Sequence, residues 1–133
     1  DKAGVGMYDD RYVFNIDGSF THITDGTNDD GGINTDGTIF GRENLVNELN
    51  GPGSGTANGA DIENYPYSDY NAQWFITGPG GVETLNLTGI GFLGYYVGGS
   101  HSYIIESRSA NEMVLRTTDG NGEFDWGLIL IAD

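Results

Sequence analysis

Cysteine is absent from the 133 residues, so neither a disulfide nor a thiolate metal centre can form. That absence says little about compartment, because many secreted proteins also lack cysteine. Cationic residues are nearly as scarce: 5 Lys and Arg stand against 20 Asp and Glu, giving a formal net charge of -15 at pH 7 and a pI near 4.1. Phosphate backbones and anionic membrane surfaces are bound through Lys and Arg, so nucleic acid and lipid headgroups are not expected partners. No apolar run approaches membrane-spanning length, and Asp1-Lys2-Ala3-Gly4 lacks the basic-then-apolar order of a signal peptide. Direct membrane insertion is therefore not expected. A nucleophilic triad is not expected either: His22 and His101 stand far apart with no Ser or Cys in a recognised context, and both read as ordinary strand or loop histidines.

What the chain does contain is aromatic surface and turn chemistry. Rings make up 12% of the residues, unlike acidic disordered segments, which are poor in them. The length suits a single domain over 1–133 with its own hydrophobic core, acting as a monomer. Tyr12, Phe14 and Ile16 alternate with Arg11, Val13 and Asn15, and Asp17-Gly18 leads straight into Ser19-Phe20-Thr21-His22-Ile23, which predicts a hairpin with a tight primed turn. Similar runs at 38–40, 73–77, 83–88, 102–108, 112–118 and 124–131 bring the count to about eight short strands. In 83–88, Leu85 and Leu87 face one way and Thr84, Asn86 and Thr88 the other, as a sheet with one wet face requires. The pattern predicts an all-β fold: an antiparallel, jelly-roll-like β-sandwich, with a lipocalin-like β-barrel as the alternative. Residues 43–49 are the only helical candidate, and 42–71 reads as one long loop insertion. The start and end of the chain look like the boundaries of a module excised from a longer protein.

Three stretches concentrate rings among turn-forming residues: 64–74 (Asn-Tyr-Pro-Tyr-Ser-Asp-Tyr-Asn-Ala-Gln-Trp), 91–99 (Gly-Phe-Leu-Gly-Tyr-Tyr-Val-Gly-Gly) and 124–126 (Phe-Asp-Trp). Rings left in water lose their burial energy, so Tyr65, Tyr67, Tyr70, Tyr95 and Tyr96 either cap the core or stack on a ligand. Tyr12, Phe14, Phe20, Phe75 and Tyr103, at strand positions, are expected in the core. Trp74 and Trp126 stand between these groups; Phe124, Leu128 and Leu130 draw Trp126 inward, while its place near a strand start puts it at the rim. Rings interleaved with Asp, Asn and Gly, and almost no Lys, suit a sugar better than a phosphate-bearing ligand. Asp69, Asn71, Asp125 and Arg116 are candidate hydroxyl partners.

Tyr8-Asp9-Asp10-Arg11-Tyr12-Val13-Phe14-Asn15-Ile16-Asp17-Gly18-Ser19-Phe20 resembles a recurring segment of Bacteroidota surface proteins, in which an acidic pair precedes an aromatic strand, a Phe-Asn-x-Asp-Gly turn and a second aromatic strand. Residues 85–94 (Leu-Asn-Leu-Thr-Gly-Ile-Gly-Phe-Leu-Gly), 103–105 (Tyr-Ile-Ile) and 113–116 (Met-Val-Leu-Arg) fit the same pattern, so the resemblance covers most of the chain outside 42–71. Such modules occur in exported proteins of polysaccharide-utilisation loci, beside immunoglobulin-like repeats or glycoside hydrolases, including systems for laminarin. The resemblance implies a non-catalytic carbohydrate-binding module, extracellular or at the outer-membrane surface, with neighbouring modules of the same chain as partners. It brings no ligand residues with it, because the shared positions are those of strands and turns.

The remaining chemistry is sparse. Glu123 and Asp125 share one side of a predicted strand opposite Phe124 and Trp126, and read as a solvated face before a glycosidase acid pair. The Asp and Asn residues of 25–37 offer hard oxygens of the kind calcium takes, but without EF-hand order, and a polar turn accounts for them without a cofactor. Asn86-Leu87-Thr88 matches a glycosylation acceptor and carries no weight in a bacterial setting. Two functions follow: binding of a neutral polysaccharide, foremost a β-1,3-glucan, or a spacer or protein-interaction role in a cell-surface glycan-uptake assembly. A small barrel holding an apolar ligand is a third.

Overall fold

Alternating patterns and turn residues produce strands at the predicted places, and the computed structural model, which describes Met7, residues 10–24 and residues 37–132, arranges them in two sheets. β1 (Arg11–Phe14) and β2 (Ser19–Ile23) form the first hairpin, with Phe14 opposite Phe20. Its turn is not a primed one. The Gly18 N–H donates to Asn15 O at 3.0 Å and the Asn15 N–H to Ser19 O at 2.9 Å, and within 15–18 only Gly18 has a positive φ, 91°. That is a type I turn followed by a glycine bulge. Asp17 contributes through its side chain, which accepts from the Ser19 N–H at 2.9 Å and from the Ser19 hydroxyl at 2.7 Å. The longer turn takes Ile16 out of the strand alternation and leaves it fully exposed.

The other strands are β3 (Thr38–Arg42), β4 (Thr56–Asn58), β5 (Asp61–Pro66), β6 (Tyr70–Thr77), β7 (Thr84–Leu87), β8 (Tyr95–Tyr96), β9 (Ser102–Arg108), β10 (Glu112–Thr118) and β11 (Asp125–Ile131). One sheet has the order β1-β2-β6-β7-β9-β10-β11 and the other β4-β5-β3-β8, and every pair is antiparallel except β3 with β8. Both sheets keep open edges among the described residues, so the fold is an all-β sandwich and not a closed barrel. β6 pairs with β2 through Tyr70 to Gln73 and with β7 through Trp74 to Thr77, so the larger sheet curls at this strand.

Phe20, Leu85, Leu87, Leu93, Tyr103 and Leu115 form the core on the larger sheet; Ile39, Val46, Leu49, Ile62, Tyr65, Phe92 and Tyr96 form it on the smaller, and Tyr70 packs against both. The predicted 42–71 loop is structured. It contains a single 3-10 turn, Val46–Leu49, in place of the helical candidate, then the β4–β5 hairpin. Only Val46 and Leu49 of that turn are buried, too narrow a stripe to support a longer helix. Phe75 also departs from expectation. Ala72 and Trp74 of β6 pack on the core, so pleating turns Phe75 outward, where it is 50% exposed.

Residues 91–94 cross the core as a loop leading into β8, and buried backbone needs partners. Three consecutive N–H groups find them on tyrosines: Phe92 donates to the Tyr70 hydroxyl at 3.1 Å, Leu93 to that of Tyr103 at 2.9 Å, and Gly94 to that of Tyr12 at 2.7 Å.

At the far edge, the Asp119 N–H donates to Phe124 O at 3.1 Å and the Ala132 N–H to Asn111 O at 2.8 Å. Bonded pairs alternate in an antiparallel ladder, so Trp126, Leu128 and Leu130 bond to β10. Asp125, Gly127, Ile129 and Ile131 turn their backbone groups to the open side of β11.

Candidate functional site

The structure sorts the sequence candidates into three places. Tyr65 and Tyr96 are buried, which removes them from any ligand surface; pleating sends adjacent Tyr95 and Tyr96 to opposite sides, and Tyr96 goes into the core with its hydroxyl donating to Glu48 Oε1 at 2.8 Å. Tyr67 and Tyr70 pack against the same core, and the Tyr67 hydroxyl donates to Leu49 O at 3.3 Å. Asp69 serves the fold, accepting from the Thr24 N–H at 2.7 Å and the Thr24 hydroxyl at 3.2 Å. Trp74 closes one rim of the sandwich, its indole N–H donating to Asn15 O at 2.8 Å and its ring meeting Phe14 edge-on at 5.8 Å.

The second place is the rim where β11 meets β3 and β8. Trp126 and Tyr95 meet edge-to-face with centroids 4.9 Å apart, and Phe124 lies 6.0 Å from Trp126. The Arg42 guanidinium lies 5.3 Å from the centre of Trp126 and 5.6 Å from that of Phe124, within cation–π range of both. Arg42 stands opposite Asp61 across β3–β5, with Nη1 3.5 Å from Asp61 Oδ1, and the Tyr95 hydroxyl donates to that same oxygen. Burial, with Asp61 beside it, pushes the Tyr95 phenol above its ordinary value, so it stays protonated. Phe40 stacks beneath Tyr95 at 4.5 Å. The indole N–H of Trp126 donates to Asp119 Oδ2 at 3.1 Å, and the Glu123 N–H donates to Asp119 Oδ1 at 3.0 Å. Burial works against the Asp119 charge, yet these donors hold its carboxyl below the usual range and fix the indole. Phe124 remains 53% exposed, contrary to the expectation that it shares a core face with Trp126.

The third place is the outer face of the larger sheet. Asn71 accepts from the Thr21 hydroxyl at 2.8 Å there. Asp125, one residue from Trp126 and so on the opposite face, accepts from the Thr118 hydroxyl at 2.6 Å and lies 3.4 Å from Arg116 Nη1. Arg42, Asp61 and Phe124 were not among the sequence candidates. A signal for one of them existed: Arg42 is one of only 5 Lys and Arg in an acidic chain, whereas its pairing with Asp61 depends on the β3–β5 register.

His22 is buried, with Nε2 2.6 Å from Asp10 Oδ2 and Nδ1 2.9 Å from the Tyr70 hydroxyl. The Tyr70 oxygen already accepts from Phe92, so its proton is left for His22 Nδ1 and the Nε2–H for Asp10. Burial outweighs the attraction of Asp69 and pushes the imidazole down to about 3. The unfolded chain takes up this proton near pH 6.5, so stability is complete above that pH and falls below it by about 1.4 kcal/mol per unit. Melting temperatures from pH 7 to 4, with the imidazole C–H resonances of His22, check this; a folded-state titration near 6.5 would refute it. His101 has a structural role, with Nδ1 2.6 Å from Gly91 O.

Among the described residues no group of three or more His, Asp or Glu side chains is placed to hold a metal ion, and no helix is long and apolar enough to cross a membrane. The oxygen-rich stretch 25–36 lies outside the described residues. Compared with known proteins, the chain matches no protein-family model and no curated protein at a significant level.

Proposed function

We propose that the domain binds a neutral polysaccharide, a β-1,3-glucan of the laminarin type, and does not cleave it. The observation that carries this reading is the rim itself: the rings of Trp126, Tyr95 and Phe124 gathered around one guanidinium and one carboxylate. Rings cover the apolar faces of pyranoses, and the Arg42–Asp61 pair supplies a donor and an acceptor for hydroxyls. The charge of -15 argues against a polyanionic ligand. Asp119 is engaged by the Trp126 indole and Asp125 by Thr118 and Arg116, which supports binding without catalysis. In this reading the domain works as a monomer within an exported protein at the cell surface, and neighbouring modules of the same chain raise avidity.

Native affinity electrophoresis against soluble glucans, xylans, mannans and alginate tests the ligand class. Trp126→Ala is expected to weaken glucan binding by about 2 kcal/mol, the size of an aromatic hot spot. Phe124→Ala, at a half-exposed ring, keeps the test open should Trp126→Ala unfold. Variants that melt like the parent and bind laminarin equally well remove the rim from the site.

A spacer or protein-contact role in a glycan-uptake assembly is the second reading. Ile129 and Ile131, 58% and 74% exposed on the β11 edge strand, favour it.

A further inference from the structure

The outer face of the larger sheet carries two registered rows of side chains across β6, β7, β9, β10 and β11. One runs Thr77, Thr84, Ile104, Arg116, Gly127, each paired with the next. The other runs Phe75, Asn86, Ser102 and resumes with Thr118 opposite Asp125. Hydrogen bonds lock the face: Asn86 Nδ2 of the second row donates to Thr77 Oγ1 of the first at 3.0 Å, and within the second row Ser102 Oγ donates to Asn86 Oδ1 at 2.7 Å and Thr118 Oγ1 to Asp125 Oδ1 at 2.6 Å. A groove of about 190 Å³ lies between the rows, bordered by Thr84, Ser102, Ile104, Arg116, Thr118 and Asp125.

Arg116 sets this groove apart from an ordinary solvated face. Arg108 closes on Glu83 through two bonds of 2.7 and 3.2 Å. Arg116 instead hangs between Glu106 and Asp125, 3.7 and 3.4 Å away, and its Nε is shielded from water with no hydrogen-bond partner. A shielded donor left in this way is unfavourable, and closure of the guanidinium onto Glu106 or a ligand oxygen relieves it. Two carboxylates beside one cation repel phosphates, sulfates and uronates. A hydroxyl, which both donates and accepts, fits between guanidinium and carboxylate. Phe75 offers a half-exposed ring at the other end of the strip, about 19 Å from β11 at about 4.8 Å per strand.

We propose that this face is a second saccharide-binding surface, separate from the Trp126 rim, for an extended uncharged chain of about four pyranose units, its length set by the strand spacing. The proposal rests on the glycan-binding reading and adds a site to it. Calorimetric titration with amide shift mapping, using laminarihexaose in one arm and cellohexaose in the other, tests it on the parent, Phe124→Ala, Arg116→Gln and Phe75→Ala, each with a melting curve. The expected result is two sites per chain, with shifts at Ser102, Thr118 and Gly127 that persist in Phe124→Ala. Arg116→Gln and Phe75→Ala should weaken that set tenfold or more. A single site with shifts confined to the rim, indifferent to Arg116→Gln and Phe75→Ala, overturns the sheet-face site and leaves the rim standing. Binding lost in Arg116→Gln but untouched in Phe124→Ala supports the sheet face and overturns the rim. No binding of either hexaose overturns both.

Discussion

Above pH 10 the domain should lose at least about 4 kcal/mol of stability for each further pH unit, far more steeply than in mild acid. The cause is the set of tyrosine hydroxyls that hold the 92–94 backbone. Burial raises the phenols of Tyr12, Tyr70 and Tyr103 well above the ordinary value, and the N–H donors from Gly94, Phe92 and Leu93 offset only part of that rise. Part of the Tyr12 and Tyr70 rings reaches the surface, but their hydroxyls point inward to this loop. The folded state keeps these three protons, with those of Tyr95 and Tyr96 besides, which the unfolded chain releases near pH 10, so the stabilisation is complete below that pH and is lost as pH rises through it. Each group contributes about 1.4 kcal/mol per unit. Tyrosinate absorbance followed beside near-ultraviolet circular dichroism from pH 9 to 12 checks this. The expected outcome is late ionisation coinciding with unfolding; ionisation of these tyrosines near pH 10 with the dichroism intact would contradict it.

Gly99→Ala should cost about 3 kcal/mol or more, combining backbone strain with overpacking. Gly99 sits at φ 80°, and a Cβ there would lie 2.5 Å from Thr118 O, a backbone atom that cannot swing aside. The two chain segments cross at this point, with the Gly120 N–H donating to Val97 O at 2.6 Å. The crossing positions Asp119, and through it the Trp126 indole, so under the proposed function glucan affinity should fall with stability. Gly122, at φ 69° with open space around it, is the control, and Gly122→Ala should cost only about 1 kcal/mol. Equal losses in urea midpoint for the two variants would show that the crossing is looser than its geometry.

Strand positions were legible wherever one face is wet and the other buried, as in β9 and β10, whose predicted bounds hold. β5 escaped because its inward residues, Ile62 and Tyr65, are three apart: the β3–β5 register shifts between Ile39 and Gly41, and Asn64 has a φ of 51°. Period-two alternation cannot reveal a strand that breaks it. Phe75 illustrates a different limit, since both faces of β6 carry rings and only its neighbours decide which face is inside. The rim was half legible. Trp126 and Tyr95 could be named from composition, but their meeting depends on β8 lying parallel to β3, a pairing between residues far apart in the chain.

The exposed edge of β11 bears on how the protein behaves at high concentration. Seven residues with one charge, Asp125, and neither Lys nor Pro form an edge without the usual local guards against strand-to-strand association. The guard is instead collective: a charge of -15 keeps copies apart before their edges can meet. Such protection is long-ranged and therefore conditional. It shrinks to about 3 Å of reach at 1 M salt and vanishes as the pH approaches the pI near 4.1, so colloidal stability depends on the medium while the fold itself does not depend on salt in the same way.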